Sequence, residues 1–233
     1  MSTLGTFRTA VAGELGLLNT TAGDQTQIDK WINEGVTDVV ARTRCKVNSA
    51  TNSLSAGVGD YSIVGSMEIM NVYVTFNGQQ YPLQHVDTET LLEMRNASVV
   101  YTSPARYYAF DGADLLLIWP LPVTAASATS PDSIAFYYVA YPTTLSASAD
   151  TPSDIPSEYH PAVEYYALYR GATFTDDSSS QMGAQYLQQY EMLLRRLKRR
   201  VALSGGRRLA RARVSDGRGF PYHDRSTYPG GSY

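Results

Sequence analysis

The chain has 233 residues, 43% of them hydrophobic, which is enough to bury a real core as one large domain or two small ones and excludes a disordered polyampholyte. Its one cysteine, Cys45, excludes an internal disulfide and gives no support to a thiolate metal cluster; no run reaches about 18 apolar residues and no cationic start leads a long apolar stretch, so the sequence reads as a soluble protein without a secretion signal. The net charge of −3 is a sum of unlike parts: residues 1–194 hold eight basic and twenty acidic side chains, residues 195–233 eleven basic and two acidic.

Helical periodicity opens the chain. Leu4, Phe7, Val11, Leu15 and Leu18 recur at three- and four-residue spacing, predicting a helix over about 3–18 whose apolar stripe needs a partner. After the turn NTTAGD, Asp24 with Gln27 has the form of a capping box opening a helix over about 24–44, on which Ile28, Trp31, Ile32, Val36, Val39 and Val40 make an apolar face. Gly35 lowers helix propensity there but permits close approach of another helix. These two helices are expected to pack together.

A β-rich insertion over about 58–142 follows. The stretch NSATNSLSAGVGDYS reads as loop, and strands are predicted near 59–64, 68–76 and 79–83, the last two about the Asn77-Gly78 turn signal. Residues 88–96 predict a short helix capped by Asp87 or Thr88. A second β unit begins with a hairpin of 104–111 and 114–119 about Gly112-Ala113, ending at Pro120 and Pro122. The loop TAASATSPD leads to its third strand, SIAFYYVAYP, ending at Pro142.

The helical period then returns. A helix is predicted over about 158–175 from a Ser157 cap, and another over about 179–203, where Tyr186, Tyr190, Leu193, Leu197 and Val201 form one stripe. Trp31, Tyr186, Tyr190, Leu193 and Leu197 are the expected packing residues of the subunit. Gly205-Gly206 is expected to stop the last helix, leaving residues 204–233 as an extended basic arm with too few aliphatic residues for a core. The fold class is therefore α+β: a bundle of about four helices interrupted by a β-rich insertion, one domain over 1–203, and the arm.

No catalytic constellation assembles. His85, His160 and His223 lie in unlike contexts without paired metal-ligand spacing, and Gly57-Val58-Gly59 precedes no Lys-Ser or Lys-Thr that would reach a phosphate. Asp176-Asp177 lacks calcium-loop spacing and reads as a solvated cap. Glu14, Glu34, Glu68 and Glu93 are isolated acids with nothing to pair them for acid and base work. Arg42 and Arg44 could lower the Cys45 pKa slightly, but a buried or incidental thiol is the better reading. Neither an enzyme nor a cofactor is expected.

The cationic C-terminus admits two functional readings beside that of a solubilising tail. One is nucleic-acid contact through an Arg/Lys array that neutralises phosphates. The other is docking on an acidic protein partner, with Tyr222, Tyr228 and Tyr233 as aromatic anchors and arginine forks on carboxylates. Arg195, Arg196, Lys198, Arg199 and Arg200 project from a helix whose other face is fixed to the core; Arg207, Arg208, Arg211 and Arg213 follow in the arm. Fully extended, that arm spans up to about 90 Å, enough to reach a neighbouring subunit.

Taken together, DKWINEGVTDVVART, the Y-P-L-x-x-V-D-x-x-x-L-x-E stretch at 81–93, PARYYAFDGADLLLIWPLP, and the W-P-x-P, Y-x-x-Y-P and D-x-P-x-x-I-P phrases that follow give the chain its particular pattern. Over roughly 24–176 it resembles the head-to-tail adaptor proteins of tailed bacteriophages, the connector or head-completion proteins beneath the portal. The resemblance implies a helical bundle with a β-rich insertion and a ring, commonly of twelve copies, in the virion neck. It implies docking on the portal protein through C-terminal helices or arms, contact with a downstream tail or stopper protein, and passage of double-stranded DNA, with no catalytic residues, cofactor or membrane. The competing reading is a DNA-binding or packaging accessory protein that uses the arginine-rich C-terminus.

Overall fold

The computed structural model describes residues 2–17, 22–63, 65–97, 104–112, 115–122, 132–175 and 180–215. The protein is α+β, with five α-helices and two four-stranded sheets among these residues. Helix α1 (Leu4–Leu15) begins with a reciprocal cap, in which Thr3 accepts from the Thr6 amide and Thr6 from the Thr3 amide, and ends at Gly16 in the left-handed conformation at φ 65°. Helix α2 spans Ala22–Thr43, so Asp24 sits inside its first turn and is not the cap expected from the sequence. There its charge complements the positive end of the helix dipole.

Helix α4 (His160–Thr175) follows a single 3-10 turn, Ser157–Tyr159, preceded by Pro156; no side chain caps that turn, which corrects the role expected of Ser157. Helix α5 runs over Ser180–Ser215, straight through Gly205-Gly206. The helix stop expected at those glycines is therefore wrong. Each glycine costs about 1 kcal/mol relative to alanine, but Arg207, Arg208, Leu209, Ala210, Arg211, Ala212 and Arg213 are strong helix formers that carry the helix on.

Leu4, Phe7 and Val11 of α1 meet Ile28, Trp31, Ile32, Val36 and Val40 of α2, Val163 and Leu168 of α4, and Tyr190, Leu194 and Leu197 of α5 in one buried core. Full burial of each such side chain contributes about 1.5–3 kcal/mol. Two glycines set the helix spacing. A Cβ at Gly35 would lie 3.0 Å from the Tyr166 ring, and one at Gly171 would collide with Leu15 and lie 3.1 Å from Trp31.

The β insertion is a sandwich of two sheets. The first has the order β1 (Val47–Ser53), β8 (Ser133–Ala140), β3 (Ser66–Phe76), β4 (Gln79–Pro82), all antiparallel. The second has the order β2 (Asp60–Ser62), β7 (Leu115–Trp119), β6 (Tyr107–Asp111), β5 (Gln84–His85), with β5 parallel to β6. Val72, Val74, Ile134 and Phe136 face Tyr108, Leu116 and Ile118 across the interior. Helix α3 (Thr88–Asn96), capped by Asp87, covers the other face of the second sheet, with Leu91 against Ala109, Leu117 and Trp119. Strand β7 is thus apolar at every position because both its faces are covered.

Three expectations about the insertion are overturned. Residues 48–53, read as loop, belong to a seven-residue strand, Val47–Ser53, on the edge of the first sheet. Strand β8, expected in the second β unit, lies between β1 and β3 in the first sheet, while β2, expected in the first unit, pairs with β7. His85 lies in β5. Pairing between distant segments decides these points, and no local pattern encodes it. The Asn77-Gly78 hairpin is as expected: both residues have positive φ, 50° and 76°, in the two-residue turn joining β3 to β4. Strand β8 joins the layers, because Val139 belongs to the helical core whereas Ile134 and Phe136 belong to the sandwich interior. Residues 123–131, with most of the stretch TAASATSPD, and Asp176-Asp177 lie outside the described residues.

Candidate functional site

Helix α5 segregates its side chains sharply. Tyr190, Leu194 and Leu197 are 1% exposed, and Tyr186, Leu193 and Val201 pack half-buried beside them. Leu194, four residues after Tyr190 and three before Leu197, completes a stripe that the sequence reading left without it. At its centre the Tyr190 hydroxyl donates to Asp38 of α2, and Arg42 lies over the Tyr190 ring at 5.7 Å while pairing with Glu191 at 2.7 Å. Burial, then the bond to Asp38, raises the Tyr190 pKa, so the phenol stays a donor. Tyr166 of α4 meets the same ring edge-on at 5.4 Å.

Basic residues of the body are mostly neutralised by specific partners. Arg8 forms a fork with Asp29 at 2.5 and 2.6 Å. Arg44 pairs with Glu68, Lys46 with Asp154 at 3.0 Å, Arg95 with Asp60 at 2.8 Å and Arg170 with Glu34 at 3.2 Å. The acids Glu34 and Glu68, isolated in sequence, thus answer cations brought from other elements. Arg42 and Arg44 are likewise engaged by carboxylates, and burial pushes the Cys45 thiol up, opposite to the lowering that the adjacent arginines suggested.

On α5 the pattern reverses. Arg195, Arg196, Lys198 and Arg199 are exposed, and among the described residues none of them has a carboxylate partner. Like charges at three- and four-residue spacing repel on a helix surface. The apolar stripe holds them together regardless, so the charge stays gathered on one exposed face. Arg200 differs: it pairs with Glu158 and lies over the Tyr159 ring at 5.9 Å, fastening α5 to the start of α4.

This body, with its cationic last helix, matches a known family along nearly its whole length: the family model described as SU10 adaptor protein covers residues 2–215. The chain belongs to this family of phage head-to-tail adaptors. No curated protein matches it.

In this adaptor, the residues singled out from sequence fall into three groups. Trp31, Tyr186, Tyr190, Leu193 and Leu197 come together in the helical core of one chain, Trp31 also meeting Phe174 edge-on at 5.8 Å. Arg195, Arg196, Lys198, Arg199 and Arg200 share the body end of α5; Arg207, Arg208, Arg211 and Arg213 continue on the same helix. Tyr222, Tyr228 and Tyr233 lie outside the described residues.

The candidate chemical groups stay apart. His160 is buried, its Nδ1 accepting from the Ser2 amide at 3.3 Å and its Nε2 bonded to the Ile155 carbonyl at 3.1 Å. His85 packs its ring, tilted, against those of Tyr108 and Phe110. Among the described residues no group of three His, Cys, Asp or Glu side chains is placed to hold a metal, and no helix is long and apolar enough to cross a membrane. An open groove between α2 and α4, lined by Lys30, Asn33, Glu34, Thr37, Asp38, Ala41 and Tyr166, has both its acids committed to Arg170, Arg42 and Tyr190.

Proposed function

We propose that the chain is the repeating subunit of a ring, commonly of twelve copies in such adaptors, that sits beneath the portal in the virion neck, joins capsid to tail and lets the genome pass. Assembly would take place in the host cytoplasm. The observation that carries this reading is the unpaired cationic face of α5 on a chain whose family assignment covers both body and helix. In this role α1, α2, α4 and the first part of α5 make a four-helix body, and Arg195, Arg196, Lys198 and Arg199, continued by Arg207, Arg208, Arg211 and Arg213, dock on acidic surface of the portal protein. Arginine forks paired with carboxylates supply both the attraction and the orientation. The sandwich end is left for neighbouring copies and a downstream tail or stopper protein. An acidic body lining the channel would avoid the phosphate contacts that make non-specific DNA binding tight.

The test is charge reversal on the exposed face. Arg195→Glu with Arg196→Glu and Arg199→Glu is expected to leave circular dichroism unchanged and to weaken binding to purified portal at least about tenfold. Unchanged portal binding would remove the docking role. The same unpaired cations also serve the alternative, an accessory protein binding duplex DNA. That reading requires tight binding of generic duplex DNA by the isolated chain, with affinity falling steeply between about 50 and 200 mM salt.

A further inference from the structure

We propose that the open edge of β1 receives an extended segment, residues 222–228, from another copy of this chain. This rests on the adaptor reading, since it names one contact by which neighbouring copies join.

Strand β1 pairs on one side only. The Lys46 carbonyl accepts from the Ala140 amide at 3.2 Å and the Leu54 amide donates to the Asp132 carbonyl at 2.9 Å, so both ends of the ladder are fixed. Antiparallel alternation then turns the backbone groups of Asn48, Ala50 and Asn52 toward β8. Those of Val47, Ser49, Thr51 and Ser53 face the other way, all four residues are exposed, and none has a backbone partner there among the described residues.

The other sheet edges are protected and this one is not. Strand β4 has four residues and ends in Pro82, which has no amide to donate; β2 has three residues and β5 two. Natural edges are blunted by shortness, charge, proline or bulges. Strand β1, VNSATNS, has seven residues and contains no charge, proline or glycine. Ser49, Thr51 and Ser53 leave room above the edge, and Tyr137 stands opposite Ser49 with its ring half-exposed.

The occupant is indicated by the chain beyond Ser215. Between Pro221 and Pro229 lies Tyr222-His223-Asp224-Arg225-Ser226-Thr227-Tyr228, free of proline and glycine and equal in length to β1. As a strand it puts Tyr222, Asp224, Ser226 and Tyr228 on one face, rings over small hydroxyl residues being a favourable cross-strand pairing. Asp224 and Arg225 offset each other, so the segment brings no net carboxylate or guanidinium charge to a neutral strand.

The ring of the adaptor reading supplies the other copy. Lys46, at the foot of β1, pairs with Asp154, and Arg200 pairs with Glu158, so β1 starts beside the root of the last stretch of α5. Helix α5 continues from Arg200 to Ser215, about 22 Å at 1.5 Å per residue. In that ring the acceptor is the β1 edge of a neighbouring copy, and the concentration series below separates it from the chain's own edge.

Amide exchange of the full chain at Val47, Ser49, Thr51 and Ser53, followed over a concentration series, tests the proposal. Exchange at these amides should slow about tenfold or more as concentration rises. The protection should vanish in Ser226→Pro, which lies outside the described residues, and in Thr51→Pro, which removes an outward amide and leaves the β8 ladder intact. Protection that persists on dilution means pairing within one chain, and protection that survives Ser226→Pro means another occupant; either overturns the proposal. So does absence of protection at every concentration. The adaptor reading is tested separately by locating the chain in purified virions. A chain found in the neck with an unprotected β1 edge sinks only the strand addition.

Discussion

The hydroxyl of Tyr190 on α5 is bonded to the carboxylate of Asp38 on α2, and this contact ties the cationic helix to a helix some 150 residues earlier in the chain. Replacing Tyr190 by Phe keeps the ring, its burial and its edge-on contact with Tyr166, but removes the donor from Asp38. The expected loss is about 1–2 kcal/mol in urea unfolding with an unchanged slope. A variant as stable as the parent would show that Arg42 alone satisfies Asp38.

Glycines 171 and 13 separate two uses of the same residue. At Gly171 of α4 an added methyl collides with Leu15 and Trp31, so Gly171→Ala is expected to cost about 1–3 kcal/mol. At Gly13 of α1 nothing lies within 4 Å of the added Cβ, and Gly13→Ala should stabilise by about 0.5–1 kcal/mol. Thermal unfolding of the two variants should shift in opposite directions; the same direction for both would contradict the packing described for α4 against α1.

Glu164 of α4 is half-buried, and burial, then the nearby charge of Glu14, raises its pKa. A carboxyl whose folded pKa is raised holds its proton more tightly in the native state, so it does not penalise folding below the ordinary carboxylate range of about 4.3. The penalty grows as pH rises above that range and is complete once the raised folded pKa has been passed. Glu164→Gln is therefore expected to unfold at higher temperature than the parent at pH 7, with the difference closing as pH falls to about 4. An advantage of equal size at both pH values would point to packing instead.

Arg200 and its cationic neighbours should divide stability from attachment. Arg200→Ala loses the exposed pair with Glu158 and the contact with the half-buried Tyr159, for a cost of about 0.5–1 kcal/mol. Arg195→Ala and Arg199→Ala have no intramolecular partner among the described residues to lose and should stay within about 0.5 kcal/mol of the parent. In the proposed role the latter two weaken portal binding more than Arg200→Ala does. Parallel denaturation and portal-binding series check the division.

Among the helices, the sequence was legible wherever one face had to be buried. The stripes of α1, α2 and α5 identified Leu4, Phe7, Ile28, Trp31, Tyr190 and Leu197 as core, because a 3.6-residue period is a local property that survives any tertiary arrangement. The Asp87 cap and the Asn77-Gly78 turn were legible for the same reason, since the residues that make them adjoin in sequence. The candidate site was legible as charge: eleven of the nineteen basic residues fall after position 194, whatever the fold.

Tertiary structure decided what local chemistry leaves open. Strand β1 is mostly Ser and Asn, without apolar alternation, and it is a strand because β8, eighty or more residues away, offers it a ladder. The exchange of β2 and β8 between sheets follows from which faces could be buried together. Which arginines are free is also a tertiary result: Arg8, Arg44 and Arg170 look no different in sequence from Arg195 and Arg199, and only folding brings carboxylates to the first three. Periodicity and charge are written along the chain; pairing partners belong to the assembled surfaces, because a salt bridge or a β ladder needs two groups that sequence distance does not bring together.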